Sequence, residues 1–225
     1  MNPPPPGAPL VALVEDHALL SAALSAALTA EGFRVAIPAH TSLDAVLDEL
    51  LRQGPLVALL DLDLGPLGNG VDLVAPLAAA GCRPVIVSGS SDDWEIGRCL
   101  ELGAAGWVAK TAGIDELLAA VQAAAEGRPV IAEQTRTRLQ GAWREWQAGR
   151  STALAPFAQL SRREGQVLAL LVDGMGAERI AEASYVSVAT VRSQIRSILA
   201  KLGVNSQLEA TALARRVGWV PPHPT

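Results

Sequence analysis

The chain has 225 residues, half of them hydrophobic and 18% charged, with a formal net charge of −5. That length suits one large domain or two small ones, and the apolar share rules out wholesale disorder. The acidic total argues against a uniformly basic polyanion binder, but it hides a division. Residues 1–130 hold 16 acidic and 6 basic side chains, residues 131–155 hold 2 and 4, and residues 156–225 hold 5 and 8. Only two of the 18 basic residues are lysines, Lys110 and Lys201, which singles both out. The two cysteines, Cys82 and Cys99, lack metal-ligand spacing. They read as small buried hydrophobes of a reduced, intracellular protein. No apolar run reaches the roughly 20 residues of a membrane span, and no basic stretch opens a signal peptide. A cytoplasmic location with no membrane partner is therefore expected.

In chain order, Asn2 to Pro6 reads as a disordered lead. Short apolar runs follow at Leu10–Val14, Phe33–Ile37, Leu56–Leu60, Pro84–Val87 and Gly106–Ala109. Helical patterns alternate with them at His17–Glu31, Ser42–Arg52, Gly70–Ala80, Asp92–Leu102 and Ile114–Glu126. Five strand–helix units predict an α/β fold with a doubly wound, five-stranded parallel sheet covered on both faces. About 120 residues are too few for an eight-fold barrel. Glu133–Gly149 reads as one connecting helix with Leu139, Ala142, Trp143 and Trp146 along one side, and Ser151–Pro156 as a short linker. Trp143 and Trp146, like Trp94, suit packing within the chain or a dimer contact. From Leu160 onward only helices are expected, at a start capped by Ser161 and Glu164, at Ala177–Ala183, at Val188–Leu202 and at Ser206–Val217. Asp173-Gly174 stops the first of them, and the tail from Pro221 ends helix formation.

In open parallel sheets, ligands sit beyond the carboxyl ends of the strands. Glu15 and Asp16 follow the first strand, Asp61 ends the third with Asp63 two residues on, Ser88 follows the fourth and Lys110 the fifth. Crowded carboxylates need a cation, and Mg2+ favours such oxygen ligands. A carboxylate can also act as a nucleophile and become an aspartyl phosphate, and Asp61 is best placed for this. Lys110 then supplies a compact positive charge for the incoming group.

These residues carry a resemblance. Residues 9–128 resemble the receiver domain of bacterial two-component response regulators, in Val14-Glu-Asp-His17, Leu59-Leu-Asp-Leu-Asp63, Val85-Ile-Val-Ser88 and Gly103-Ala-Ala-Gly-Trp-Val-Ala-Lys110. The resemblance implies a flavodoxin-like receiver in which Asp61 accepts a phosphoryl group from a sensor histidine kinase. Glu15, Asp16, Asp61 and Asp63 then form the Mg2+ site, Asp63 through its main-chain carbonyl. Ser88 and Trp107 become switch residues, with Lys110 stabilising the phosphoryl group. The loop after Asp61 is about one residue longer than the family's usual loop, Gly89 replaces a frequent alanine, and Trp107 is bulkier than the usual ring.

In the Val188–Leu202 helix, Val188, Val191, Ile195, Ile198, Leu199 and Leu202 share one face, while Arg192, Ser193 and Arg196 form a polar stripe. On charge alone, that stripe fits either a solvated surface or a helix lying in a major groove. Residues 160–217 resemble the LuxR-type helix-turn-helix of NarL/FixJ-type regulators, in Leu160-Ser-Arg-Arg-Glu164, Val167-Leu-Ala-Leu-Leu171, Ile180-Ala181, Val186-Ser187, Thr190-Val191-Arg192 and Ile198-Leu-Ala-Lys-Leu-Gly-Val204. That similarity implies that Arg192, Ser193 and Arg196 contact double-stranded DNA. Lys201 is placed for a phosphate or for capping, and Gln194 stands where histidine is usual.

The expected organisation is a receiver at 9–130, a connector at 131–157 and a small all-α helix-turn-helix domain at 158–220. The expected function is a phosphorylation-controlled transcriptional regulator, bound at the nucleoid as a homodimer on inverted-repeat half-sites, and not an enzyme. Two alternatives stand beside it. One is a DNA-binding regulator that ignores phosphorylation. The other is a phosphatase using Asp61-Leu-Asp63 as its Asp-x-Asp pair.

Overall fold

The computed structural model describes residues 5, 7–38, 42–89 and 92–221. The expected lead at Asn2–Pro6, apart from Pro5, and the tail after Pro221 lie outside the described residues. The chain forms two compact units, residues 1–145 and 146–225.

The first unit holds five strands: β1 (Leu10–Val14), β2 (Arg34–Ala36), β3 (Val57–Asp61), β4 (Arg83–Ser88) and β5 (Gly106–Ala109). They pair in parallel in the order β2-β1-β3-β4-β5. All five residues of β3 are buried, as expected of a central strand covered on both faces. Side chains alternate between the two faces. Ala12, Val14, Ala58 and Leu60 pack against α2 (Leu43–Gln53), α3 (Val71–Ala79) and α4 (Asp93–Glu101). Val11, Leu13, Val57 and Leu59 pack against α1 (Ala18–Ala30) and α5 (Ile114–Ala125).

The second strand is shorter than the expected Phe33–Ile37. As an edge strand it pairs on one side only, through Arg34, Val35 and Ala36. Phe33 instead closes α1, its N–H donating to the Leu28 carbonyl at 3.0 Å, and Ile37 is exposed.

The connector also differs from expectation. The helix α6 runs Glu133–Leu154, so the expected linker at Ser151–Pro156 is largely helical. The Thr152 hydroxyl donates to the Ala148 carbonyl, and Leu154 packs on the helical core of the second unit. The helix gives way to a 3-10 turn, Ala155–Gln159, at Pro156, whose ring nitrogen has no proton to donate.

Within the first unit, the start of α6 lies tightly on α4. Leu139 is fully buried, and the Trp94 and Trp143 rings stack with centroids 6.4 Å apart. Arg138 pairs with Asp93, and Arg144 with Glu101 at 2.8 Å. Gly97 permits the close approach: a Cβ there would lie 2.0 Å from the Leu139 carbonyl oxygen. Trp143 thus packs inside its own unit, whereas Trp146 belongs to the second unit, where the Arg150 guanidinium lies 5.3 Å from its ring centre.

The second unit is built from α7 (Arg162–Val172), α8 (Ala177–Ser184), α9 (Val188–Leu202) and α10 (Gln207–Arg216). Ser161, Ser187 and Ser206 cap α7, α9 and α10 by accepting from backbone N–H groups three residues on. Phe157, Leu168, Ile180, Val191, Ile195 and Ile198 form the core.

Gly97→Ala should force α6 away from α4. We expect a loss of about 1–3 kcal/mol from the first unit, with loss of the Trp94–Trp143 signal in near-ultraviolet circular dichroism during urea unfolding.

Candidate functional site

The strand order reverses between β1 and β3, so a crevice opens beyond their carboxyl ends. Glu15 and Asp16 leave β1 there, and Asp61 ends β3. Glu15, Asp61 and Ser88 are all buried. An open cavity of about 770 Å³ is lined by Asp61, Asp63, Ser88 and Lys110, with His17, Asn69 and Glu95 at its sides. The sequence-predicted residues of the first unit therefore converge on one place, except Trp107.

Lys110 ties the site together. Its ammonium donates to Asp61 Oδ2, and to Glu15 Oε1 at 3.0 Å. The backbone helps to set it, because the Lys110 N–H donates to the Ser88 carbonyl at 3.0 Å. Burial pushes the Asp61 carboxyl above its usual range; the Lys110 bond opposes this and the Glu15 charge adds to it. Burial alone would lower the Lys110 pKa, but its bonds to Asp61 and Glu15 outweigh burial, and it stays protonated.

Ligand atoms of Glu15, Asp16, His17 and Asp61 lie within 4.8 Å of one another. Three carboxylates are hard oxygen donors of the kind Mg2+ takes, so this donor set fits that ion. The Asp63 carboxylate stands apart from the cluster. Its Oδ1 accepts the Gly65 N–H at 3.1 Å, while its own N–H donates to Asp61 Oδ1 at 3.1 Å. The loop then folds back: Gly70, where a Cβ would strike the Asp61 carbonyl at 2.0 Å, seats the start of α3 against the strand end. At the start of α3, Asn69 Oδ1 accepts the Val71 N–H at 2.9 Å, and the Asn69 amide donates to Glu95 of α4 at 3.2 Å.

Sequence reasoning gave His17 no role at the site, reading it as a helix start and as the end of the Val14-Glu-Asp-His17 stretch. Its Nδ1 lies 2.8 Å from Glu15 and 2.7 Å from Asp16. The Glu15 bond, then the Asp16 charge, raises its pKa. Its position beside an acidic pair was the available signal.

Trp107 lies outside the cavity. It is half-buried on the α4 side of the sheet, and its indole N–H is buried without a partner among the described residues. Cys82 and Cys99 are buried, and burial lifts their thiols to about 11 and about 12. They are neutral thiols with no part in the site.

In the second unit, Val191, Ile195, Ile198 and Leu202 of α9 are buried, while Arg192, Ser193 and Arg196 are exposed and Gln194 is partly so. Arg192 reaches across to Glu178 of α8 at 3.0 Å. Lys201 is engaged elsewhere. Its ammonium donates to Glu164 Oε2 at 2.6 Å, and Ser197 Oγ donates to Glu164 Oε1 at 2.5 Å. Glu164 also accepts the Ser161 N–H at 2.6 Å, completing the capping box. Lys201 thus braces α9 against α7 and is not presented with the exposed arginines. Glu164 alone looked like a capping residue; its role as a junction of two helices depends on tertiary contact.

Comparisons with known proteins fit both units. Residues 11–122 match the response regulator receiver domain, and residues 158–214 match bacterial regulatory proteins of the luxR family. The chain is 28% identical to the transcriptional regulatory protein DegU of Brevibacillus brevis, over 93% of this chain and 94% of that one. It is 29% identical to the probable transcriptional regulatory protein NarL of Mycobacterium tuberculosis, over 96% and 98%. A LuxR-family two-component response regulator from Aurantimonas shares the fold at 19% identity, with a TM-score of 0.52 over 60% of this chain and 97% of that one. Among the described residues, no helix is long and apolar enough to cross a membrane.

Burial alone would raise the Glu164 carboxyl, but its bonds from Lys201, Ser197 and Ser161 outweigh this and hold it at about 2. A depressed carboxylate stabilises the fold fully above its unfolded pKa, near 4.5, and loses that stabilisation as pH falls towards 2. Glu164→Gln should cost the second unit about 2–3 kcal/mol near neutral pH and flatten its stability between those two pH values, read by urea unfolding across pH.

Proposed function

Because the chain belongs to the response regulators that join a receiver domain to a LuxR-type DNA-binding domain, we propose that it is a transcriptional regulator switched by phosphorylation of Asp61. The observation that carries this reading is the Lys110 ammonium bound to Asp61 and Glu15 at the reversal of strand order. A histidine kinase and promoter DNA are the partners these two domains require.

Asp61 is the nucleophile. One carboxylate oxygen forms a bond to the phosphorus of the kinase phosphohistidine, the phosphorus–nitrogen bond breaks, and the imidazole leaves with its electron pair and takes a proton. The product is a mixed carboxylic–phosphoric anhydride. Glu15, Asp16 and Asp61 would hold Mg2+, which supplies charge neutralisation for the phosphoryl oxygens. The Lys110 ammonium, now shared with Glu15, follows the new negative charge on the Asp61 side chain. The Ser88 hydroxyl, in the same cavity, is a donor for a phosphoryl oxygen.

One carboxylate accepts one phosphoryl group per chain, which suits a regulator. Arg192, Ser193, Arg196 and Gln194 of α9 form the DNA-reading face, with Lys201 supporting that helix from behind. A cytoplasmic homodimer on paired half-sites suits a helix-turn-helix of this kind.

Acetyl phosphate with Mg2+ should add one phosphoryl group by intact mass and change the oligomer size or DNA affinity of the chain. Asp61→Asn should show neither change. Unaltered DNA binding by a phosphorylated wild-type chain would favour the phosphorylation-independent regulator instead.

The Glu178 contact holds Arg192 on the protein. Glu178→Gln should release the guanidinium and tighten binding to duplex DNA by about two- to fivefold, measured by fluorescence anisotropy at fixed salt.

A further inference from the structure

Tyr185 is the only tyrosine in the chain. It links α8 to α9 in the left-handed backbone region, with φ 53 and ψ 43. Among the described residues it is the one non-glycine with positive φ. The comparable left-handed ends of α2 and α9 are both glycines, Gly54 and Gly203. A side chain is disfavoured in this conformation, so glycine would suit the turn better.

Tyr185 is 96% exposed, and among the described residues its ring and hydroxyl have no partner. A strained backbone carrying a fully solvated aromatic marks a group directed at something outside the chain.

Its place identifies that partner. Two residues on, Ser187 caps α9, so Tyr185 stands at the amino end of the helix that carries Arg192, Ser193 and Arg196. That end of a recognition helix enters the major groove, and the groove is bordered by phosphates. Tyrosine is among the side chains that donate to phosphate oxygens, and such contacts fix register without reading sequence.

We propose that the Tyr185 hydroxyl donates a hydrogen bond to a DNA phosphate beside the groove entered by α9, acting as a positioning contact for the DNA-reading arginines. This rests on the reading of α9 as the DNA-binding helix. Being neutral, Tyr185 displaces no counterion, so its contribution is uniform across sequences and leaves the salt dependence alone.

The test uses the full chain, treated with acetyl phosphate and Mg2+, and a mixed-sequence duplex of about four helical turns. With 3-fluorotyrosine incorporated, the single fluorine resonance should shift on adding the duplex. Tyr185→Phe and Tyr185→Gly should each weaken binding about five- to tenfold, with the slope of log K against log salt unchanged. Tyr185→Gly should unfold at or above the wild-type temperature, which separates a lost contact from a damaged fold. An unmoved resonance, or wild-type affinity in Tyr185→Phe, overturns the proposal. Arg196→Ala is the control for the underlying reading and should lower both the affinity and the salt slope, the slope by about one. If Arg196→Ala loses affinity while both Tyr185 variants bind as wild type, the tyrosine contact alone is wrong. If Arg196→Ala changes neither quantity, the assignment of α9 falls, and the tyrosine contact with it.

Discussion

Lys110 reaches residues 95 and 49 positions away in the chain to bond Glu15 and Asp61, both of them buried. Two carboxylates in that position repel each other and lose their water, and an ammonium between them offsets both costs. The sheet order makes the meeting unavoidable. β1 and β3 are neighbours, β4 adjoins β3, and β5 adjoins β4, so four strand ends open on one crevice. The charged cluster in turn limits the sheet, because a register slip of one residue in β5 would turn Lys110 to the other face. The site and the strand pairing therefore constrain each other.

Some of this was readable from residue order alone. Strand ends can be located from apolar runs, and the positions that follow them have to share the crevice in any open parallel sheet. Hence residue order alone brings Glu15, Asp16, Asp61, Ser88 and Lys110 together. Caps are equally local: Ser161, Ser187 and Ser206 each act within three residues of chain.

The contacts that sequence did not reveal are the long-range ones made by ordinary-looking residues. Gly97 is a plain glycine in a helical pattern until α6 lies against it, and its value is the side chain it lacks. Lys201 carries the charge expected of a phosphate contact, yet its ammonium is bonded to Glu164, which Ser197 also holds. The α6 helix continues past Gly149 because Leu154 finds the core, a partner not legible from local propensity.

Within the first unit, α4 touches both ends of the problem. Glu95 lines the acidic cavity and accepts from Asn69, at the start of α3. On the same helix, Trp94 and Gly97 meet Trp143 and Leu139 of α6, and Asp93 and Glu101 pair with its arginines. A charge change at Asp61 can shift an equilibrium only through groups whose contacts differ between the two states. α4 is a nine-residue helix tied to the cavity side by the Asn69 amide and to α6 by close backbone packing. On the same side of the sheet, the Trp107 indole N–H is buried and has no partner among the described residues. Packing is thus continuous inside one unit from the Asp61 cavity through α4 to the start of α6, which is the route open to the proposed switch.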